Sequence, residues 1–433
     1  MGDATEHREA GPTAGPDGQV RAILEPQPAA GPGEQACAVS ARAGAYGAAS
    51  SKPCEHHSGK VGLAQAGGGA RGAGAAASQR QTAAQRSSLA QPAYAALDLG
   101  TNNCRLLIAR PTRRGIRVVD SFSRIIRLGE GLTLTGSLSE AAMSRTIDAL
   151  KVCAAKINRH EVLRSRLVAT QACRMAHNGE EFVARVRHVT GLELEILSRE
   201  NEARLAVAGC ASLLDADCDL ALVFDIGGGS SELVWLDLKG MCDGAPIGGA
   251  RGHLRQARVI AWTSLSVGVV TLAERFGGRH VTPESFEAMV EDVLAMITPF
   301  EAEHRIAGRI EEGRVHFLGT SGTVTTVAGI RLRLPRYDRT QVDGCWLDTE
   351  HVRDVTTMLL HKSYEQRCAE PCIGRERGDL VLAGCAILEA LLRIWPTDRL
   401  RVADRGLREG ILSLLMAEDG YPRSSRRRGR RRS

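Results

Sequence analysis

The sequence predicts an α/β protein of two related lobes with a cleft between them. Short apolar runs alternate with helical patterns from Tyr94 onward, which is typical of the α/β class. A strand followed by Asp-x-Gly and a second strand occurs at Asp98 and again, 127 residues later, at Asp225. Because one local pattern is repeated within the chain, we interpret the folded part as two lobes that share a plan.

Residues 1–91 differ in composition from the rest of the chain. Ala, Gly, Pro, Ser and Gln dominate this stretch, and Tyr46 is its only aromatic residue. Such a segment buries too little apolar surface to offset the entropy cost of ordering, so we expect a disordered arm. Its scattered acidic residues and its lack of a continuous apolar core are unlike a targeting segment. Since no part of the sequence approaches eighteen consecutive apolar residues, we expect no membrane span and a cytoplasmic protein.

The positive charge of the chain is concentrated in its last residues. The formal net charge is +6, but residues 423–433 contain seven arginines, so residues 1–422 carry a net charge of −1. We interpret this tail either as a solvated segment without a specific role or as a non-specific contact for a polyanion, RNA or polyphosphate. In the second interpretation, the release of counterions from the polyanion drives its binding to the arginines.

The twelve cysteines do not form a recognisable metal or disulfide framework. No CxxC pair is present, and most cysteines lie inside apolar or helical runs, so we expect reduced, buried thiols. The segment Cys54-Glu55-His56-His57 contains metal-ligating residue types, but in a disordered arm we do not expect it to form a site.

The first lobe begins with three strands joined by tight turns, which we predict at Tyr94–Leu99, Cys104–Arg110 and Gly115–Ser123. Apolar residues spaced four and three apart predict an amphipathic helix over Ser139–His160, with Ser139 as its N-cap. The remaining predicted elements alternate between strand and helix: Arg166–Thr170, Gly179–Thr190, Leu194–Leu197 and Glu200–Cys210.

The second lobe repeats the opening strand pair. Leu220–Ile226 is predicted as a buried strand, Gly227–Gly229 as a turn and Ser231–Leu238 as the returning strand. A helix is expected at Val269–Phe276, and another begins at Thr282-Pro283, an N-cap followed by Pro in the first helical position. The last two predicted strands are Val315–Leu318 and Arg399–Val402. The last three predicted helices cover the residues after Gly322 up to Arg331, Asp379–Trp395 and Leu407–Glu418.

These patterns divide the chain into four parts. We predict a disordered arm at 1–91, the first lobe at 92–206, the second lobe at 207–421 and the arginine-rich tail at 422–433.

The turn of the first strand pair has the composition of a phosphate-facing loop. A carboxylate at a strand end is followed by a glycine and small polar residues, so that backbone N–H groups point at an anion and the carboxylate can hold a metal through water. An ordinary Asp/Gly turn is the alternative. The candidate residues are Asp98, Gly100, Thr101 and Asn102.

The turn of the second strand pair contains three consecutive glycines after a buried strand. Glycine costs roughly 0.5–1 kcal/mol relative to Ala in such a position. We therefore predict a close approach of phosphate to the backbone, rather than a flexible surface loop, at Gly227, Gly228, Gly229 and Ser230. Asp225 and Glu232 lie on either side of the turn, where the two strands of a hairpin would bring their side chains together as ligands for Mg²⁺.

Three further motifs are candidates on weaker grounds. Small residues between a strand and a helix suit a phosphate, although a simple connection has the same composition; they are Gly319, Ser321, Gly322 and Thr323. Arg174 follows a strand and is able to hold a phosphate or form a surface ion pair. Glu202 is either solvated or catalytic. The segment 404–410 (DRGLREG) is left open, because it fits the start of the last helix equally well.

Seven motifs, in this order, resemble the Ppx/GppA family of exopolyphosphatases and guanosine pentaphosphate phosphohydrolases, a branch of the actin–hexokinase–Hsp70 superfamily. They are LDLGTNN, RLGEGL, VATQACR, ENEAR, VFDIGGGSSELV, LGTSGT and DRGLREGIL, and they extend over residues 94–416. The resemblance implies two actin-like (ribonuclease H-like) lobes with an interdomain cleft. It also implies a homodimer and the release of a terminal phosphate from polyphosphate or pppGpp.

The resemblance also implies roles for individual residues. Glu202 matches the general base of the family, and Arg174 matches an arginine that holds phosphate. Asp225 and Glu232 match carboxylates that bind Mg²⁺, for which Mn²⁺ is the alternative. The loops containing Asp98, Thr101 and Asn102, and Gly227 to Ser230, match the two phosphate loops. These parts supply what phosphoryl transfer requires, namely an aligned water and charge neutralisation.

Two other functions share much of this pattern. An ATP-dependent small-molecule kinase of the same superfamily would have both phosphate loops but would need an acceptor pocket with an Asp base. An actin-like or chaperone-like nucleotide-binding scaffold would not need Glu202, Asp225 and Glu232 together. The sequence does not distinguish polyphosphate from pppGpp, because both present a terminal phosphoanhydride.

Overall fold

A computed structural model describes residues 91–112, 115–215, 217–239 and 257–421. The predicted arm up to residue 90, with its Cys54–His57 segment, and the tail from residue 422 lie outside the described residues. The predictions of a disordered arm and of a polyanion contact by the tail therefore stay predictions.

The first sheet has five strands and contains the first predicted strand pair. In order across the sheet they are β3-β2-β1-β4-β5, and β1 is antiparallel to β2 but parallel to β4. Its strands are β1 (Ala93–Leu99), β2 (Asn103–Thr112), β3 (Gly115–Ile125), β4 (Val162–Ala169) and β5 (Glu195–Ile196).

Five helices lie between or after these strands. The predicted N-cap is confirmed, because the Ser139 side chain accepts a hydrogen bond from the backbone N–H of Ala142 at 3.2 Å. The helices are α1 (Leu132–Thr135), α2 (Glu140–Arg159), α3 (Gln171–Met175), α4 (Gly179–Thr190) and α5 (Arg199–Cys210).

The second sheet has six strands in the order β10-β11-β9-β6-β7-β8. Strand β6 is antiparallel to β7 and parallel to β9. In the same way, β1 of the first sheet is antiparallel to β2 and parallel to β4. The predicted repeat of one strand arrangement in both lobes is therefore confirmed. The strands are β6 (Leu220–Ile226), β7 (Ser231–Asp237), β8 (Arg258–Leu265), β9 (Val315–Thr320), β10 (Trp346–Asp348) and β11 (Arg399–Ala403).

Helices of the second half of the chain pack on this sheet and form its core with residues such as Phe224, Trp235 and Phe317. The Thr282 side chain caps α7 and Pro283 is its first residue, as predicted. The helices are α6 (Val269–Phe276), α7 (Pro283–His304), α8 (Ile306–Glu311), α9 (Ser321–Arg331), α10 (Arg339–Val342), α11 (Thr349–Leu360), α12 (Tyr364–Cys368) and α13 (Val381–Ile394).

The last helix, α14 (Leu407–Glu418), packs on the first sheet although it follows the second sheet in the chain. Its residues Ile411 and Leu412 share a core with Tyr94 and Leu107. The sequence-based boundary at residue 207 did not foresee this return of the chain. Side chains alternate between the two faces of a strand, and residues on both faces of β1 are buried. A strand buried on both faces has a continuous apolar sequence, as β1 does.

Helix α5 lies between the two sheets. Leu205 belongs to the core that α14 shares with the first sheet, whereas Ala203 and Val207 pack with β6 and β7 of the second. A residue on this helix is therefore held close to both strand pairs. The cysteines predicted to be buried and reduced are confirmed as buried and free: Cys153, Cys173, Cys210 and Cys385. Among the described helices, none is both long and apolar enough to cross a membrane.

Candidate active site

One cavity, of about 120 Å³, is lined by residues of both strand pairs. Six carboxylates line it, and four of them lie on the two strand pairs and on helix α5: Asp98 on β1, Glu202 on α5, Asp225 on β6 and Glu232 on β7. These acids are as much as 134 residues apart in the chain, so their convergence comes from the fold. The common crevice that the predicted function requires is therefore present.

The first strand pair places Asp98 directly opposite Arg105. Between them the turn closes with a hydrogen bond of 2.9 Å from the Gly100 N–H to the Asn103 carbonyl. Thr101 and Asn102 are buried and line the cavity, as does Gly100. The predicted residues of this loop are thus brought together at the cavity.

The second strand pair places Asp225 directly opposite Glu232, as the hairpin interpretation predicts. The Ser230 and Ser264 hydroxyls donate hydrogen bonds of 2.7 and 2.9 Å to Glu232 Oε1. Glu232 is therefore fixed in position although it is buried. The glycines Gly227, Gly228 and Gly229 and the following Ser230 line the same cavity.

The two loops touch one another. A Cβ placed on Gly229 would lie 2.7 Å from Thr101 Oγ1 and 2.9 Å from the Gln171 side chain. A Cβ on Gly268, which precedes α6, would lie 2.4 Å from the backbone of Gly228. Glycine is required here because the turn is enclosed on both sides, and its backbone is left facing the cavity.

Glu202 is held by an ion pair at the start of α5. The helix begins at a serine cap, Ser198, and Arg174 Nη1 lies 3.0 Å from Glu202 Oε2. The Arg174 guanidinium also donates hydrogen bonds of 2.6 Å to the Leu197 carbonyl and to Gln171 Oε1. Arg174 thus orients Glu202 and does not itself line the cavity, so a direct phosphate contact by Arg174 stays a prediction.

Of the four candidate residues in the third predicted phosphate motif, Ser321 lines the cavity, together with the neighbouring Thr320. Ser321 donates a hydrogen bond to the Ile226 carbonyl and has a φ of 84°, a strained value for a residue other than glycine. Gly319 lies against the Phe224 ring, where a Cβ would be 2.6 Å from a ring carbon. Gly322 and Thr323 are in the first turn of α9 and do not line the cavity.

Burial raises the pKa of the Asp98, Glu202, Asp225 and Glu232 carboxyls. Burial and then the negative charges of Glu232 and Asp98 raise the pKa of Asp225 to about 7. Burial and the charge of Glu232 raise the pKa of Glu202 well above its ordinary value, while Arg174 lowers it. The acids therefore repel one another, which is the electrostatic condition for binding a cation.

The donor atoms fit a hard divalent cation. Asp98, Asp225 and Glu232 offer carboxylate oxygens, and the buried Asn102 Oδ1 has no hydrogen-bond partner among the described residues. Mg²⁺ prefers oxygen ligands and retains several waters, so it does not need all these groups to converge on one point.

Positive charge reaches the cavity from three arginines that were not selected from the sequence, Arg105, Arg405 and Arg408. Arg405 is paired with Asp343. Arg105 on β2 and Arg408 on α14 form no ion pair with another described residue. Both lower the pKa of Asp98 against the larger effect of burial. Arg408 belongs to the DRGLREG segment, to which no function was assigned from the sequence. The only sequence feature that indicated Arg105 was its place among the less buried positions that alternate with apolar ones at the start of β2.

The same segment brings Glu409 to the cavity. Its carboxylate accepts hydrogen bonds from the Gly406 N–H at 3.0 Å and from Arg339 Nη2 at 2.7 Å. Burial alone would raise its pKa, but Arg408 and Arg339 outweigh burial and lower it. Glu409 thus fixes the start of α14 and keeps its charge beside Arg408.

Comparison with known proteins identifies this arrangement. The model of the Ppx/GppA phosphatase family matches residues 107–418, well over half of the chain. The chain belongs to the Ppx/GppA phosphatase family. The phosphatase class predicted from the sequence motifs is therefore confirmed.

Solved structures of Ppx/GppA proteins share the fold. The Aquifex aeolicus family member is 28% identical, with a TM-score of 0.60 over 76% of this chain and 99% of that chain. An exopolyphosphatase-like protein is 29% identical, with a TM-score of 0.63 over 76% and 98%. An exopolyphosphatase from Cytophaga hutchinsonii ATCC 33406, at 22% identity, has a TM-score of 0.64 over 77% and 100%, and shows the fold alone. The predicted fold of two actin-like lobes is confirmed.

Proposed function

We propose that this Ppx/GppA phosphatase is a Mg²⁺-dependent phosphohydrolase that releases terminal orthophosphate from inorganic polyphosphate, converts pppGpp to ppGpp, or does both. The observation that carries the proposal is the cavity that the two strand-pair turns share. Glu202, Arg105 and Arg408 line this cavity together with both turns. The relative at 29% identity that is described as exopolyphosphatase-like supports polyphosphate as one substrate.

Positioning of the terminal phosphate comes from the two turns. The backbone of Gly228 and Gly229 approaches the cavity without side chains, and Thr101 lies opposite. Backbone N–H groups in such turns bind phosphate oxygens. Arg105 and Arg408 form no ion pair with a described residue, so their guanidinium groups are open to phosphate oxygens, although the carboxylate of Glu409 lies beside Arg408.

Glu202 is the proposed general base. It accepts a proton from a water whose oxygen bonds to the terminal phosphorus, while the bond from that phosphorus to the bridging oxygen breaks. The shortened substrate leaves with the bridging oxygen, and the phosphorus with the water oxygen becomes orthophosphate. Burial makes Glu202 a stronger base than a solvated glutamate, and the ion pair with Arg174 favours its ionised form and fixes its direction.

Asp98, Asp225 and Glu232, with Asn102 Oδ1, are the proposed holders of the divalent ion. Bound Mg²⁺ supplies charge neutralisation at phosphate oxygens during phosphoryl transfer. Mn²⁺ is the alternative ion, since it accepts the same oxygen donors.

Phosphate release in the absence of any acceptor tests the proposal against a kinase. Polyphosphate and pppGpp are supplied separately, with Mg²⁺ or with EDTA, and initial rates of orthophosphate release are measured. The proposal expects release from at least one substrate, dependent on the metal. A protein that releases no phosphate from either substrate with Mg²⁺ or Mn²⁺ would contradict the proposal. Transfer from ATP to a small-molecule acceptor, without such release, would favour the kinase.

Two further parts of the proposal concern partners. The seven arginines of residues 423–433 are proposed to bind polyanionic substrate or RNA non-specifically. Removal of this tail is expected to raise the KM for long polyphosphate more than for short chains, and unchanged KM values for both would contradict it. A homodimer, supported by the family resemblance, predicts a sedimentation mass twice that of one chain.

A further inference from the structure

A second cluster of metal-ligating side chains lies away from the cavity. Asp215, Cys218 and His316 each offer one ligand atom, and these atoms all lie within 4.8 Å of one another. Asp215 and Cys218 are in the connection between α5 and β6, and His316 is the second residue of β9. Thr320, at the other end of β9, lines the cavity. Four residues of extended strand, about 13 Å, therefore separate the two places.

His316 provides an independent observation that points to a ligand. Its side chain is 1% exposed, and neither ring nitrogen has a hydrogen-bond partner among the described residues. Buried polar groups are almost always paired, and a neutral imidazole has one donor and one acceptor nitrogen to satisfy. Its ring packs edge-on against Trp346, with 5.4 Å between ring centroids, so its orientation is fixed.

We propose that Asp215, Cys218 and His316 bind one Zn²⁺ ion, or another divalent transition-metal ion of similar chemistry. One imidazole nitrogen, one thiolate and one carboxylate make a ligand set that zinc accepts, and three protein ligands leave a fourth tetrahedral position for water. Asp215 and Cys218 are only half-buried, which gives the ion a path of entry.

The bound ion would tie the α5–β6 connection to β9. Helix α5 carries Glu202 in its first turn, so the ion would fix the chain just beyond the other end of this helix. This site does not depend on the proposed function of the cavity. A zinc site at these residues was not expected from the sequence, because His316 is 98 residues from Cys218 and no zinc-type spacing joins them.

Titration of the full chain with Co²⁺ tests the site, because a thiolate bound to Co²⁺ gives a charge-transfer band in the near ultraviolet. Excess Mg²⁺ is present to occupy the cavity. Cys368→Ser removes an equally half-buried thiol elsewhere, and Cys54→Ser removes the thiol of the Cys-Glu-His-His segment. We expect Cys218→Ser to lose the band and one equivalent of bound metal, and both control variants to keep them. Equal band and stoichiometry in wild type and Cys218→Ser, or no band in any of them, would overturn the proposal.

Thermal unfolding gives a second readout that does not require the Cys218 variant to fold well. Zn²⁺ that binds only the folded state raises the Tm relative to EDTA. We expect this rise to be smaller in Asp215→Asn than in wild type and unchanged in Cys368→Ser, again with excess Mg²⁺. A Zn²⁺-dependent rise as large in Asp215→Asn as in wild type would refute the assignment.

Discussion

Gly228 lies against Thr101 at the place where the two strand-pair turns meet. A Cβ on Gly228 would be 3.1 Å from Thr101 Cβ and 3.2 Å from the backbone nitrogen of Asn102. Both distances are shorter than ordinary van der Waals contact, and the second involves backbone, which cannot rotate away. The separation of the two phosphate loops is therefore set by a glycine.

Gly228→Ala is expected to push the loops apart and to lower kcat/KM by roughly 10- to 100-fold, since small misplacements of catalytic parts have effects of this size. Gly308→Ala is the matched control, because a Cβ there meets no atom within 4 Å. Initial rates and Tm are compared for both variants. Wild-type kcat/KM in Gly228→Ala would show that the contact between the turns does not position the substrate.

Arg174 is expected to act through the pKa of Glu202. Because Arg174 lowers that pKa, Arg174→Met should raise it, and the base is then ionised only at higher pH. The acidic limb of the kcat/KM profile should move to higher pH, and by less in Arg174→Lys than in Arg174→Met. Arg204→Met, which removes an exposed ion pair with Glu200 on the same helix, should leave the limb in place. A lower rate with an unshifted limb would mean that Arg174 does not act through Glu202.

Asp225 is expected to destabilise the metal-free fold as pH rises. Its pKa is about 7 when folded, so between pH 4 and 7 the folded state binds more protons than the unfolded state. The free energy of unfolding therefore falls over this range and stays low above it. Asp225→Asn should remove this cost, with a gain of up to about 4 kcal/mol at pH 8 and little gain at pH 4, while activity is lost.

Urea unfolding in EDTA at pH 4 and pH 8 measures this difference. Asp354→Asn, at an exposed position on α11, is the control and should change stability little at either pH. A stability change in Asp225→Asn that is the same at both pH values, or a loss at pH 8, would contradict the linkage.

Arg408 is expected to contact the terminal phosphate. Arg408→Met should lower kcat/KM by roughly 10- to 100-fold, the equivalent of one hydrogen bond to a charged group. The loss should be the same for long and short polyphosphate, unlike the loss expected from removal of the tail. Arg117→Met, on the exposed face of β3, provides the control. If Arg408→Met retained wild-type kcat/KM, the cationic side of the site would have to be assigned to Arg105 alone.

The parts of the site that depend on local sequence were predictable. A buried apolar run that ends in Asp-x-Gly defines a strand and its turn, so the opposition of Asp225 and Glu232 across β6 and β7 followed from the hairpin. The repeat of this pattern also predicted two lobes. Each copy of the pattern depends on residues within about ten positions of one another.

The parts that depend on long-range packing were not predictable. Helix α14 packs on the first sheet and brings Arg408 to the cavity. The local sequence of a helix does not indicate on which of two sheets it packs. Gly319 belongs to a segment with the composition of a phosphate loop. In the structure, its lack of a side chain instead allows the Phe224 ring to pack against its backbone. Glycine in a strand-to-helix turn serves either purpose, and only the neighbouring ring distinguishes them.

Replacement of Glu202 by glutamine tests the central claim most directly. Initial rates on polyphosphate and on pppGpp are measured for wild type, Glu202→Gln and Glu200→Gln, the last being a half-exposed glutamate on the same helix that pairs with Arg204. A kcat lower by at least about 10²-fold in Glu202→Gln, the lower range for removal of a general base, is predicted, with Glu200→Gln close to wild type. A kcat for Glu202→Gln equal to that of wild type would contradict the assignment of the water-activating base.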